Sequence, residues 1–139
     1  MRTELESKKK PYEITELTLH SDVRGFLYEA FRFTSQSIPK GGQVYIYSME
    51  PGARRGDHFH IEKSEWVICV SGRVRLLLKT EQDEKVSKEL DGRKPELIFL
   101  APRTSHALMN ESKDIAIIIA YSSEEFHPDH PDTYFAKAD

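Results

Sequence analysis

The chain has 139 residues, with twenty basic and twenty-three acidic side chains and a net charge of −3, so it is long enough to bury one core without disulfides or structural metals to support it. The two signs are interspersed, and Lys8-Lys9-Lys10 is the one basic run, which excludes a basic face for nucleic acid or a membrane surface. The single cysteine, Cys69, cannot form an internal disulfide and sits in an apolar stretch, as a buried, inert thiol in a reducing compartment would.

The N-terminal stretch MRTELESKKKPYE lacks the apolar core of a signal peptide, and no window reaches the ~18 apolar residues of a membrane span, so a cytoplasmic protein is expected. The expected organisation is one domain over 1–139, with a flexible tail at 1–11 and a C-terminal extension at 122–139. In chain order, short apolar segments alternate with turn signals: YEITELTLH, the turn SDVRG, FLYEAFRF, the turn IPKGG, QVYIYSM, and the turn EPG. EWVICVSG follows, with a break at Gly72, then RVRLLLK, a polar loop from Thr80 to Pro95, LIFLA, a turn at Pro102, HALMN and IAIIIAYS. No segment keeps a 3.6-residue apolar period for three turns, and the polar stretch around Glu81–Leu90 reads as exposed loop. Eight or nine strands at this spacing predict an all-β jelly-roll barrel or sandwich.

The chemistry concentrates in GARRGDHFHIEKSE, residues 52–65. If DHFH is extended, His58 and His60 share one face, with Phe59 on the other. The polar IEKS can turn the chain so that Glu65 opens the next strand toward the same interior, followed inward by Val67 and Cys69. Trp66, Ile68 and Val70 then point outward, and so apolar a face should be covered by the N-terminal strands or by a second subunit. Three polar groups beside a buried strand imply something bound there. Either a metal ion uses them as ligands, or a substrate uses the histidines as acid and base. His20 reads as a strand-end residue, and His127 and His130 as exposed tail residues.

The pattern Gly52, five residues, His58-x-His60, four residues, Glu65, six residues, Gly72 matches the first signature of the cupin superfamily, and His106 with Asn110 supplies the H-x-x-x-N end of the second. Arg103 stands where that second signature carries glycine, Pro102 falls one residue later than the usual proline, and Pro95 takes the place of the leading glycine. Ser21-Asp22-Val23-Arg24-Gly25-Phe26-Leu27 with Glu29, and Arg55-Gly56-Asp57-His58, resemble the D-x-R-G and R-G-x-H segments of cupin-type sugar-nucleotide epimerases and isomerases. Those relatives are the dTDP-4-dehydrorhamnose 3,5-epimerases, the dTDP-4-keto-6-deoxyhexose 3,4-ketoisomerases and the C-terminal cupin domain of the capsular-polysaccharide UDP-sugar reductase. The last also resembles this chain in the tail Phe126-His127-Pro128-Asp129-His130-Pro131-Asp132-Thr133-Tyr134.

The resemblance implies a cupin-type double-stranded β-helix in which His58, His60, Glu65 and His106 ligate one divalent metal ion, with Zn²⁺ the leading expectation and Fe²⁺, Mn²⁺ or Ni²⁺ the alternatives. It also implies a nucleotide-sugar substrate, a homodimer and a part in surface polysaccharide biosynthesis. The expected chemistry is proton abstraction beside the ketone of a 4-keto sugar, giving C3 epimerisation or keto-isomerisation. Arg55, Arg24 from a partner subunit, and Lys63 are the expected substrate-binding residues. His58 and His60 are the acid and base if no metal is bound. Tyr47 is a further catalytic candidate by residue type, beside Tyr45, Lys63 and Tyr121. No Rossmann fingerprint occurs, so no hydride transfer is expected of this chain. A non-catalytic metal- or sugar-binding cupin and a metal-dependent cupin dioxygenase are the competing classes.

Overall fold

The computed structural model describes residues 10–139, so the tail expected at 1–11 falls, up to residue 9, outside the described residues. The described chain folds into twelve strands: β1 Tyr12–Glu16, β2 His20–Asp22, β3 Gly25–Leu27, β4 Gln43–Met49, β5 Arg54–Phe59, β6 Glu65–Ser71, β7 Arg73–Lys79, β8 Lys85–Asp91, β9 Glu96–Leu100, β10 Ser105–Met109, β11 Ala116–Ser122 and β12 Tyr134–Phe135. They form two antiparallel five-stranded sheets, ordered β1-β9-β6-β11-β4 and β12-β5-β10-β7-β8, with β2-β3 as a separate hairpin. Sequential strands largely alternate between the two sheets, as in the all-β cupin-type barrel that the signatures predict.

Period-two patterning explains the core between the sheets. Val74, Leu76 and Leu78 of β7 face Val67 and Cys69 of β6, Ile118 and Ala120 of β11, and Met49 of β4 within one buried cluster. Each such aliphatic side chain contributes roughly 1.5–3 kcal/mol on leaving water. The opposite face of β6 carries a second cluster, in which Trp66 and Ile68 pack with Leu97, Tyr121 and Ile38, and with Tyr28, Ala30 and Phe31 from the segment after β3. The apolar face expected to need a cover is therefore covered by residues 28–38 of the same chain.

Two local expectations are corrected. FLYEAFRF is strand only at its start, in β3; Tyr28 and Phe31 pack against the cluster of Trp66 and Tyr121, with Phe31 tilted and Phe33 edge-on to the Tyr121 ring, rather than in a ladder, so their apolar character reflects packing and not pleating. The stretch expected as a loop from Thr80 to Pro95 contains β8, paired along its whole length with β7 from Arg73↔Asp91 to Lys79↔Lys85. Only Val86 and Leu90 of KVSKELD are apolar, too few to signal a strand alone, but both fall on the face toward the core when β7 supplies the ladder.

Candidate metal centre and its pocket

Strand β5 brings the histidines to the interior by way of a bulge. His106 pairs with His58, but the next residue, Ala107, pairs with Gly56, so Asp57 is the extra residue in β5. Gly56 and Asp57 adopt φ values of 102° and 57°. The bulge sets His58 opposite His106 across the sheet, with ring centroids 4.7 Å apart at 87°. Gly56 suits this position because a Cβ there would lie 2.6 Å from the His106 carbonyl oxygen. A similar left-handed turn precedes β10: Arg103 takes φ 68° in the place of the signature glycine, and its N–H donates to the His60 carbonyl at 2.6 Å. The missing glycine thus costs some backbone strain without loss of the turn.

Glu65 enters from the other sheet, as the first residue of β6, and is 5% exposed. One ligand atom from each of His58, His60, Glu65 and His106 lies within 4.8 Å of all the others. His60 Nε2 is 2.9 Å and His106 Nε2 3.3 Å from the same oxygen, Glu65 Oε1, while the Tyr45 hydroxyl donates to Oε2.

The second nitrogens are also occupied. His60 Nδ1 lies 2.7 Å from the Asp132 carbonyl and His106 Nδ1 3.3 Å from the Thr104 carbonyl. A carbonyl oxygen only accepts, so both Nδ1 atoms carry the proton and donate it. With both rings neutral, each Nε2 would direct its lone pair at a carboxylate oxygen. That arrangement is repulsive unless an imidazole is protonated or a cation lies between them, and it is the tautomer that a metal-ligating histidine requires. Three imidazoles with one carboxylate are a fitting donor set for a borderline divalent ion.

Electrostatics divides the roles. Burial lowers the His58 pKa to about 4, assisted by His106 and His60, so its ring is neutral near pH 7. Burial alone would raise the Glu65 carboxyl, but in the metal-free site hydrogen bonds from His106 and His60, donated when these imidazoles carry a proton on Nε2 as well, hold it well below the usual carboxylate range. Tyr45 and Tyr47 are both raised, first by burial and then by the Glu65 charge, so both hydroxyls stay protonated.

A cavity of about 270 Å³ adjoins the cluster, lined by Tyr45, Tyr47, Arg55, His58, Glu65 and His106 over an apolar floor that includes Leu76 and Leu100. Arg55 lies at its exposed edge, its guanidinium carbon 5.2 Å from the centroid of the Tyr47 ring. The structure thus gathers the four expected ligands with Tyr47 and Arg55, and leaves other expected residues elsewhere. Arg24 projects from the β2–β3 hairpin and ion-pairs with Asp22. The Lys63 ammonium lies 5.9 Å from the Phe126 ring centroid and outside the cavity lining. Tyr121 is on the opposite face of its sheet, bonded through its hydroxyl to the Pro39 carbonyl. Asn110 is a turn residue, donating to the Met49 and Asp114 carbonyls and accepting from Ser112. His127 and His130 are exposed. Two contributions escaped sequence reasoning: Tyr45 as the partner of Glu65, visible only as its shared strand face with Tyr47, and the Asp132 carbonyl, which pattern does not reveal.

Among relatives, the chain is 28% identical over 120 residues to UDP-2-acetamido-2,6-beta-L-arabino-hexul-4-ose reductase of Pseudomonas aeruginosa, covering 86% of this chain and 31% of the relative. It is 25% identical over 126 residues to the spore coat polysaccharide biosynthesis protein SpsL of Bacillus subtilis, covering 86% of this chain and 83% of the relative. The capsular polysaccharide assembling protein CapF of Staphylococcus aureus superposes with a TM-score of 0.68 at 29% identity, over 87% of this chain and 34% of that chain. This chain thus spans about a third of the length of the reductase and of CapF. ChmJ, a 3′-monoepimerase from Streptomyces bikiniensis in complex with dTDP-quinovose, superposes with a TM-score of 0.79 over 92% of this chain and 70% of that chain; at 20% identity it shares the fold. The model of one family, described as the polysaccharide biosynthesis C-terminal domain, matches residues 20–134, from the first residue of β2 to the first of β12. With all four clustered residues inside that span, this cupin-fold chain belongs to the polysaccharide biosynthesis C-terminal domain family.

Proposed function

We propose that the chain is a metal-dependent cupin isomerase that moves a proton beside the ketone of a nucleotide-linked 4-keto sugar, by C3 epimerisation or keto-isomerisation, in surface polysaccharide biosynthesis. The observation that carries this is the convergence of two tautomerically fixed histidines, a third neutral histidine and a buried carboxylate at the wall of a sugar-sized cavity. The family, the hexulose reductase relative and the sugar epimerase with the same fold support it.

His58, His60, Glu65 and His106 would hold the ion, with Zn²⁺ first and Fe²⁺, Mn²⁺ or Ni²⁺ as alternatives. When bound, a divalent cation supplies Lewis-acid stabilisation of negative charge at the keto oxygen. Arg55, at the mouth, offers a planar fork of donors to the diphosphate and has no carboxylate partner among the described residues. Tyr47 lines the cavity, and its raised pKa keeps it a proton donor rather than a base. The Tyr45 hydroxyl is committed to orienting Glu65. Lys63, outside the cavity lining with its ammonium near the Phe126 ring, would need to swing inward to touch a substrate. The chain is further proposed to act as a homodimer, in which Arg24 contributes a second diphosphate contact from the hairpin of the other copy.

The test combines elemental analysis of purified protein with deuterium incorporation from D₂O into a panel of nucleotide-linked 4-keto sugars. The expected outcome is near-stoichiometric transition metal and exchange at C3. Glu65→Gln, which keeps size and hydrogen bonding but deletes the charge, should lower both in proportion, and added Zn²⁺ or Fe²⁺ should restore part of each. Exchange by wild-type protein free of transition metal would instead make His58 and His60 the acid and base. Bound metal without exchange on any sugar would leave a binding module.

A further inference from the structure

The C-terminal segment is stitched along β5, and its first anchor is at the cluster. Asp132 is 7% exposed and holds a left-handed φ of 50°, a conformation that a non-glycine residue keeps only when its surroundings enforce it. What enforces it is visible. Its carboxylate accepts three backbone N–H groups from the turn after β5: Ile61 at 2.9 Å on one oxygen, and Glu62 and Lys63 at 3.0 and 3.1 Å on the other. Its carbonyl accepts the Nδ1 proton of His60 at 2.7 Å. One residue therefore fixes the turn that carries His60 out of β5 and also the tautomer and tilt of the His60 ring.

The rest of the segment holds Asp132 in place. Tyr134 and Phe135 pair with Phe59 and His58. Ala136 N–H donates to the Asp57 carbonyl at 2.8 Å, and the Ser105 hydroxyl donates to the Ala136 carbonyl at 2.5 Å. Asp57 also accepts the Ala138 N–H at 3.1 Å, and Arg54 bridges Asp57 and Asp139.

We infer that Asp132 is a positioning residue for the metal centre, fixing the His60 Nε2 lone pair on the ion by clamping the 61–63 turn and accepting the Nδ1 proton. This rests on the metal-binding role proposed above. Partners of this kind, one bond beyond the ligands, typically change metal affinity 10- to 100-fold. Linkage requires the converse as well: a bound ion strengthens the attachment of the C-terminal segment.

The test uses the full-length chain with Zn²⁺ as probe, measuring affinity by chelator competition and the His60 tautomer of metal-free protein by long-range ¹H–¹⁵N NMR. Asp132→Gly keeps the carbonyl and tolerates the left-handed φ but deletes the carboxylate. It should weaken Zn²⁺ binding about 10- to 100-fold and let His60 leave the single Nδ1–H form. Asp132→Asn, which keeps one acceptor oxygen, should fall in between. Asp139→Ala, which breaks only the far anchor to Arg54, should bind as wild type does. Wild-type affinity and an unchanged tautomer in Asp132→Gly would overturn the inference, as would equal weakening by Asp139→Ala, which would point to general loosening of the segment. Should the glycine variant fail to fold, Asp132→Asn decides alone: several-fold weaker binding supports positioning, and wild-type binding overturns it. If wild-type protein binds no Zn²⁺, the metal reading fails by itself, and the tautomer measurement still decides whether Asp132 orients His60.

Discussion

The residues of the centre couple stability to pH in the same direction, over successive windows. His58 has its pKa lowered from 6.5 to about 4, so between those values the unfolded chain binds the proton and the folded chain does not. Stability of the metal-free protein should therefore fall as pH drops through that window and level off near the folded value. One proton accounts for at most about 1.4 kcal/mol per pH unit, and for less here because His58 keeps some contact with solvent. Glu65 acts in the same direction at lower pH. Its depressed carboxyl contributes stability above its unfolded pKa that is lost only as pH falls through the depressed value, below this window. Asp57 and Asp91, lowered to about 2 by Arg54 and Arg93 respectively, likewise act further down. Urea midpoints measured across the window should decline for wild-type protein and decline less for His58→Ala. Equal slopes would remove His58 as the source. His58, His60 and Glu65 were legible from alternation and spacing, and His106 from the cupin resemblance, whereas the proton on each Nδ1 was not, because it is set by carbonyls of residues 104 and 132 that lie close only in the folded chain.

At the scale of elements, the bulge in β5 is what aligns ligands from neighbouring strands. Strict alternation already puts His58 and His60 on one face, but it does not fix where they stand relative to β10; the extra residue Asp57 sets that register. Gly56→Ala should be a sensitive probe, since the new Cβ would meet the His106 carbonyl oxygen at 2.6 Å and Ala107 Cα at 3.0 Å, in a backbone conformation of φ 102°. A loss of roughly 1–3 kcal/mol is expected, with metal content reduced because relief of the clash moves β10 and His106 with it. An unchanged urea midpoint with full metal content would show that the bulge has no such role. Strands with dense alternation, such as β4 and β7, were legible to the residue. Strand β8 and the 28–38 cover were not, because in one a neighbouring strand supplies the stability that composition lacks, and in the other apolar residues serve packing without a ladder.

At the scale of the whole molecule, the unsatisfied apolar surface lies where the sequence did not place it. Trp66 and Ile68 are buried within the chain, whereas Val23, Phe26 and Leu27 of the β2–β3 hairpin are exposed, Val23 fully. A hairpin of two three-residue strands is marginal alone, so a second copy is the occupant expected under the homodimer proposal. Sedimentation equilibrium at micromolar concentration should give a dimer, and Phe26→Asp with Leu27→Asp should weaken it at least ~10-fold, since burying two charges in an apolar contact costs more than the ~1.4 kcal/mol that factor represents. A wild-type monomer would remove the partner from the site. What the sequence by itself determined is the set of side chains that periodicity and spacing control, an all-β chain with two inward histidines and a carboxylate opening the next strand, together with the third histidine one hairpin later that the cupin resemblance supplied. The tertiary structure decided what depends on contacts distant in the chain. It decided which face each sheet buries, that Tyr121 turns away while Tyr45 grips Glu65, and that a carbonyl 72 residues from His60 sets the direction of its lone pair. Local pattern records the direction of a side chain from its own backbone, but not the partner that folding brings to meet it.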